Sequence, residues 1–175
     1  MFDIDNIYLL KIIFFLSILL IGLISVIVIY IKSIISSIKN GDKTKLKYTL
    51  VAGIFVIIAI ISWILNMGWL RVIMTIYAVP IIHTIAFIII NIFSLSYINK
   101  SVKLKRYVDL TYITYLVSYL LFSDCADVGP MYVFFGLIHN DDVAYISYTI
   151  SSIAFIGNIT LLVLQITELR KLKNM

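Results

Sequence analysis

His83 is the side chain best suited to chemistry in this chain. An imidazole can pass a proton or hold a ligand near neutral pH. Here it sits inside a long apolar run, residues 69–98, where an ionisable group is a functional candidate by default. At about 100° per residue, Pro80, His83, Asn91 and Ser94 fall within roughly 80° of one helix face. Ile76 and Phe87 share that stripe and Thr75 points elsewhere, so the face is mixed rather than purely polar. Two readings stay open. His83 is either a neutral imidazole hydrogen-bonded to Asn, Ser or Tyr on a neighbouring helix, or a group that binds a ligand or carries a proton.

Arg71 stands at the start of the same run, after Trp69. A guanidinium at that level must snorkel or find a carboxylate. Asp124 and Asp127 are available for an outer-face charge cluster, which would act as a structural clamp or capture an anion. The segment from Ser123 to Pro130, with His139-Asn140-Asp141-Asp142 after it, offers oxygens and an imidazole to a hard cation. Its spacing fits neither an EF-hand nor a zinc pattern, so neither a metal nor any other cofactor is expected. Cys125 is the only cysteine, which excludes an intrachain disulfide and CxxC chemistry. Its two aspartate neighbours do not favour a thiolate.

Other chemistries are absent as motifs. The chain contains no HExxH, no GxSxG and no phosphate-binding glycine loop. No pair of carboxylates lies within an apolar run to support aspartyl proteolysis or a proton relay. The sequon Asn158-Ile159-Thr160 falls inside a helical segment and is discounted. A non-enzymatic protein is expected.

The elements that position these residues follow from composition. Of 175 residues, 62% are hydrophobic and 13% charged, and the mean hydropathy is +1.09. A soluble domain of this length could not hide so much apolar surface. A hydrocarbon core about 30 Å thick takes roughly 20 apolar residues as helix. Candidate spans are residues 9–30, 48–65, 69–98, 107–122 and 143–166, with an outer loop at 123–142 and residues 1–175 as one transmembrane domain. The fold class is therefore all-α, a polytopic transmembrane bundle of about five spans.

The first span continues as an amphipathic stretch (Ile31, Ile34, Ile35, Ile38) ended by Asn40-Gly41. The second and third are joined by a tight turn at Asn66–Gly68, and the third, longer than the core requires, invites a kink at Pro80. The fourth is short and rich in Tyr and Thr, and charge argues for it. The basic residues at 32–47, 100–106 and 170–173 all reach the cytoplasmic side only if five segments cross and the amino end is outside. The apolar stretch Met131–Ile138 then rests on the outer interface. The acidic start of the chain lacks the basic region of a signal peptide, so the first span is expected to be retained. Net charge is +5, carried between apolar runs, which suits anionic headgroups and not nucleic acid.

One more pattern concerns packing. Ser147, Ser151, Ala154, Asn158 and Gln165 fall within roughly 60° on the fifth span. Small and amide-bearing residues let helices approach and hydrogen-bond in lipid. Ala52, Ala59, Ser62 and Asn66 mark a similar face on the second span, and Thr111, Tyr115 and Ser118 on the fourth. The expected function is that of an accessory, immunity-type or sensor protein working through helix–helix contacts. Its partners would be the lipid bilayer and another membrane protein or a second copy. The alternatives are a small transporter or channel with a polar path along the third span, and a membrane-embedded enzyme. The Ile, Lys and Asn bias points to an AT-rich bacterial genome, hence a bacterial cytoplasmic membrane.

Overall fold

The computed structural model describes residues 4–66, 68–124 and 132–174, with side chains from residue 17 onward except those of Tyr132 and His139. The described chain is helical apart from one minimal hairpin. In order it runs α1 (Ile4–Lys39), α2 (Lys43–Leu65), α3 (Trp69–Ile76), α4 (Val79–Leu95), a 3₁₀ turn (Ile98–Lys100), α5 (Val102–Leu120), β1 (Tyr132–Val133), β2 (Ile138–His139) and α6 (Asp141–Lys173).

Local chemistry explains most boundaries. Gly41 ends α1 with φ +65°, a left-handed turn that glycine adopts without steric cost. Asp42 then caps α2, its carboxylate accepting from Lys45 N at 2.9 Å. Ser101 caps α5 through Leu104 N, and Asn140 caps α6 through Val143 N. α6 carries Asp141 and Asp142 in its first turn and Arg170, Lys171 and Lys173 in its last, each sign at the favourable end of the helix dipole.

The expected single third helix is broken. α3 and α4 meet at a 65° bend through Tyr77 and Ala78, with Ala78 left-handed at φ +55°. Pro80 explains the position of the break. Its ring would clash with the carbonyl four residues earlier, Ile76, and α3 ends there. Pro80 itself lies in the first turn of α4, where its missing N–H costs nothing.

Side-chain contacts set the direction of each helix. Ser33 meets Thr49, and Tyr30 sits over Gly53, so α1 and α2 are antiparallel. Tyr48 binds Asp109 and Ser62 binds the Tyr119 carbonyl, so α2 and α5 are parallel. Thr111 meets Asn158, and Ser101 meets Glu168, so α5 and α6 are antiparallel. α4 runs with α6 (His83 to Asn158, Ser94 to Gln165) and against α5. An aromatic column of Phe87, Tyr112, Tyr115, Tyr119 and Trp63 fills the centre; the Phe87 and Tyr115 rings stack at 3.9 Å.

Three helices are long and apolar enough to cross a membrane: Ser17–Lys39 within α1, α2, and α6. The bent pair α3–α4 is a fourth if the two count as one span. α5 does not qualify on composition, because Lys103, Lys105, Arg106 and Asp109 crowd its first half. It is enclosed by its neighbours along one side, with Leu104, Val108, Thr111, Tyr112, Tyr115, Ser118 and Tyr119 buried. Residues 132–138 of the expected interfacial stretch belong to the hairpin, whose turn holds Phe134, Phe135 and Gly136 in succession at positive φ; Met131 lies outside the described residues.

Candidate functional site

The C-terminal ends of α2 and α5 and the start of α3 meet around two charged side chains. Asp124 follows α5 and turns its carboxylate onto the start of α3. It accepts from Gly68 N (3.0 Å), Leu70 N (3.1 Å) and Arg71 N (2.8 Å). These are orphan donors of a helix N-terminus, so Asp124 caps α3 from another element. Gly68 permits the approach, since a Cβ there would lie 2.7 Å from Asp124 Cγ.

Arg71 is fully buried, and its guanidinium turns the other way. One Nη donates to the Ser62 carbonyl at 2.5 Å and the other to the Phe122 carbonyl, at the C-terminal ends of α2 and α5. Trp63 and Phe122 offer ring faces to the cation at 5.0 and 5.3 Å. The cation therefore sits at two negative helix ends and the carboxylate at a positive one. The sequence pairing of Arg71 with Asp124 places the two together, but the contact runs through the Arg71 backbone. Asp127 and Cys125 lie outside the described residues.

His83 lies deeper and is buried between α4, α5 and α6. Its Nε2 is 2.9 Å from Asn158 Oδ1, and its Nδ1 is 3.0 Å from the Tyr119 hydroxyl. The amide orientation fixes the donor. Asn158 Nδ2 already donates to the Thr111 carbonyl and to Thr114 Oγ1, so Oδ1 must accept from Nε2–H. Tyr119 also faces the Pro80 carbonyl at 3.2 Å, which ties the network to the helix break. Phe155 packs on the imidazole at 4.6 Å, and Tyr115 and Tyr119 flank it.

A second set lies closer to the basic end. Ser94 Oγ donates to Gln165 Oε1, and Gln165 Nε2 donates to Thr111 Oγ1 at 2.6 Å. Thr111 thus joins both sets, through its carbonyl to Asn158 and its hydroxyl to Gln165. Asn91 donates to the Phe87 carbonyl of its own helix, and its Oδ1 is buried without a partner. Ser147, Ser151 and Ala154 are buried along with Asn158 and Gln165. Ala144, Leu162 and Leu169 complete that face. Tyr119 and Thr114 belong to the network as well, yet hydroxyls on a helix rich in Tyr and Thr gave no separate signal.

An apolar cleft of about 190 Å³ opens beside the break, with Trp63, Thr75, Pro80, Thr84 and Tyr119 in its wall. Neither this cleft nor a cavity of about 10 Å³ near Phe122 and Phe155 includes His83 in its wall. Among the described residues, no group of three His, Cys, Asp or Glu side chains could hold a metal ion. No family model, no curated protein and no solved structure matches this chain.

Proposed function

We propose that this chain is a five-span protein of a bacterial cytoplasmic membrane. Its amino end lies outside and its carboxyl end in the cytoplasm, and it acts without catalysis through helix contacts with another membrane protein. Accessory subunits, immunity-type proteins and small sensors work in this way. The observation that carries the reading is the pairing of the interior polar groups. His83, Asn158, Ser94 and Gln165 bond to side chains and carbonyls of neighbouring helices, which is how polar groups hold a bundle together in lipid.

The fifth crossing has its own support. α5 has 19 residues, about 28 Å at about 1.5 Å per residue, which matches a hydrocarbon core of about 30 Å. A helix wrapped by neighbours need not be as apolar as one facing lipid. The alternating helix directions bring the ends of α1, α4 and α6 together with the starts of α2 and α5. Twelve of the 14 basic residues, all but Lys11 and Arg71, belong to that end. That asymmetry is the positive-inside pattern. α1 is attached along a narrow stripe (Val26, Ser33, Ser37), which leaves a broad apolar face for lipid or a partner helix.

The broken α3–α4 pair, with its cleft, favours a second reading as a small transporter, because interrupted helices often frame substrate sites. Thiol labelling separates the two. In a Cys125→Ser background, single cysteines at His83, Asn91 and Ser94 should stay unlabelled by a membrane-impermeant maleimide. Labelling at His83 from either side would reveal a water path and favour transport.

A further inference from the structure

At the basic end of the bundle, a cleft of about 250 Å³ lies between α4 and α6. The α6 wall is Ile166, Leu169, Arg170 and Lys173, one face at helical spacing. The opposite wall is Ile90 and Phe93 of α4 and Tyr97 just beyond its end. Hydrocarbon lines the cleft on the bundle side, and two cations stand where it meets the helix ends. The wall contains no carboxylate, and Arg170 and Lys173 are exposed with no side-chain partner among the described residues. Lys100 adds a third cation nearby, 5.2 Å from the Tyr97 ring centroid. Basic residues in a last turn ease the helix dipole wherever they point. That does not account for their placement at the mouth of an apolar interhelical cleft.

We propose that this cleft binds one anionic phospholipid, its phosphate held between Arg170 and Lys173 and an acyl chain laid against Ile90, Phe93 and Ile166. The charge complements an anionic headgroup, and the apolar depth complements a chain that no soluble phosphate possesses. Basic pockets between membrane helices on the cytoplasmic side have this chemistry. The site rests on the reading that these helix ends lie at the cytoplasmic membrane surface.

Native mass spectrometry of the whole chain in neutral detergent tests it, with three probes: phosphatidylglycerol, phosphatidylcholine of the same chain length, and glycerol phosphate. Phosphatidylglycerol should be retained over both others. The double variant R170Q/K173Q should weaken that retention by roughly 30-fold, the joint contribution of two surface cations. K39Q/K43Q, which removes the same charge from the same end, should change it little. Equal retention of phosphatidylcholine, equal loss in both double variants, or equally tight glycerol phosphate would each overturn the site. Unaltered melting temperatures of the two double variants will show that they fold. The assay needs no membrane, so it is independent of topology. A reporter after Met175 that reads as external would overturn the orientation, whereas loss of lipid preference would overturn the site.

Discussion

Replacing Asp124 with Ala would remove the cap that holds α3 in place. The carboxylate accepts from three backbone N–H groups, at 2.8 to 3.1 Å, and is itself buried. A hydrogen bond to a charged group contributes about 1.5–3 kcal/mol, and three sharing one carboxylate contribute less than their sum. Water can reach Gly68, which is only partly buried, and will recover some of the loss. The buried Arg71 would also lose its nearby negative charge. A cost of roughly 3–5 kcal/mol follows, on the order of 10 °C in melting temperature for a chain of this size. Asp124→Asn keeps one acceptor oxygen and should fall about halfway. Gly68→Ala attacks the same contact from the other side, because its Cβ would meet Asp124 Cγ at 2.7 Å. Thermal unfolding in detergent should therefore show Gly68→Ala destabilising the parent but adding little to Asp124→Ala. Full additivity of the two, or an Asp124→Ala variant as stable as the parent, would refute the trans-cap.

Arg71→Lys should destabilise the same junction by about 2–4 kcal/mol, since one ammonium cannot reproduce the fork between the Ser62 and Phe122 carbonyls; chemical denaturation in detergent will measure it. Asn158→Leu should loosen the bundle by about 1–3 kcal/mol, and Ser151→Leu by more, because Ser151 is fully buried on α6 and a longer side chain there forces the helix away from its neighbours. A double-mutant cycle of Asn158→Leu with His83→Phe should show coupling, and strict additivity would separate the two residues. Gly53→Ala should push Tyr30 aside, the new Cβ lying 2.1 Å from its hydroxyl, and Tyr30→Phe should restore part of the lost melting temperature.

Much of the helix layout was legible because apolar length, caps and turn residues act locally. Asn40-Gly41 and the Asn66–Gly68 turn each mark a real helix end in the structure. The five residues of the α6 stripe are buried for a periodic reason that sequence spacing exposes. Other features depend on three dimensions. Pro80 signalled a bend, but the break falls at Ala78, because the ring acts on the carbonyl of Ile76 four residues back. Among the described residues the Arg71 guanidinium meets carbonyls, because Asp124 is drawn to the three free N–H groups of α3. Thr111, which joins the His83 and Gln165 networks, could be placed on a face but not assigned those partners. The 132–139 hairpin has only two pairs, too few to leave an alternating pattern.

Whether α5 crosses the membrane decides more of this account than any other question. Single cysteines at Val102, exposed at the start of α5, and at Leu137, exposed in the hairpin turn, can be introduced into a Cys125→Ser background. They are then labelled with an impermeant thiol reagent in intact and permeabilised cells. Five crossings with an external amino end predict that Leu137→Cys reacts in intact cells and Val102→Cys only after permeabilisation. If both react in the same condition, α5 does not carry the chain across and the five-span reading is contradicted.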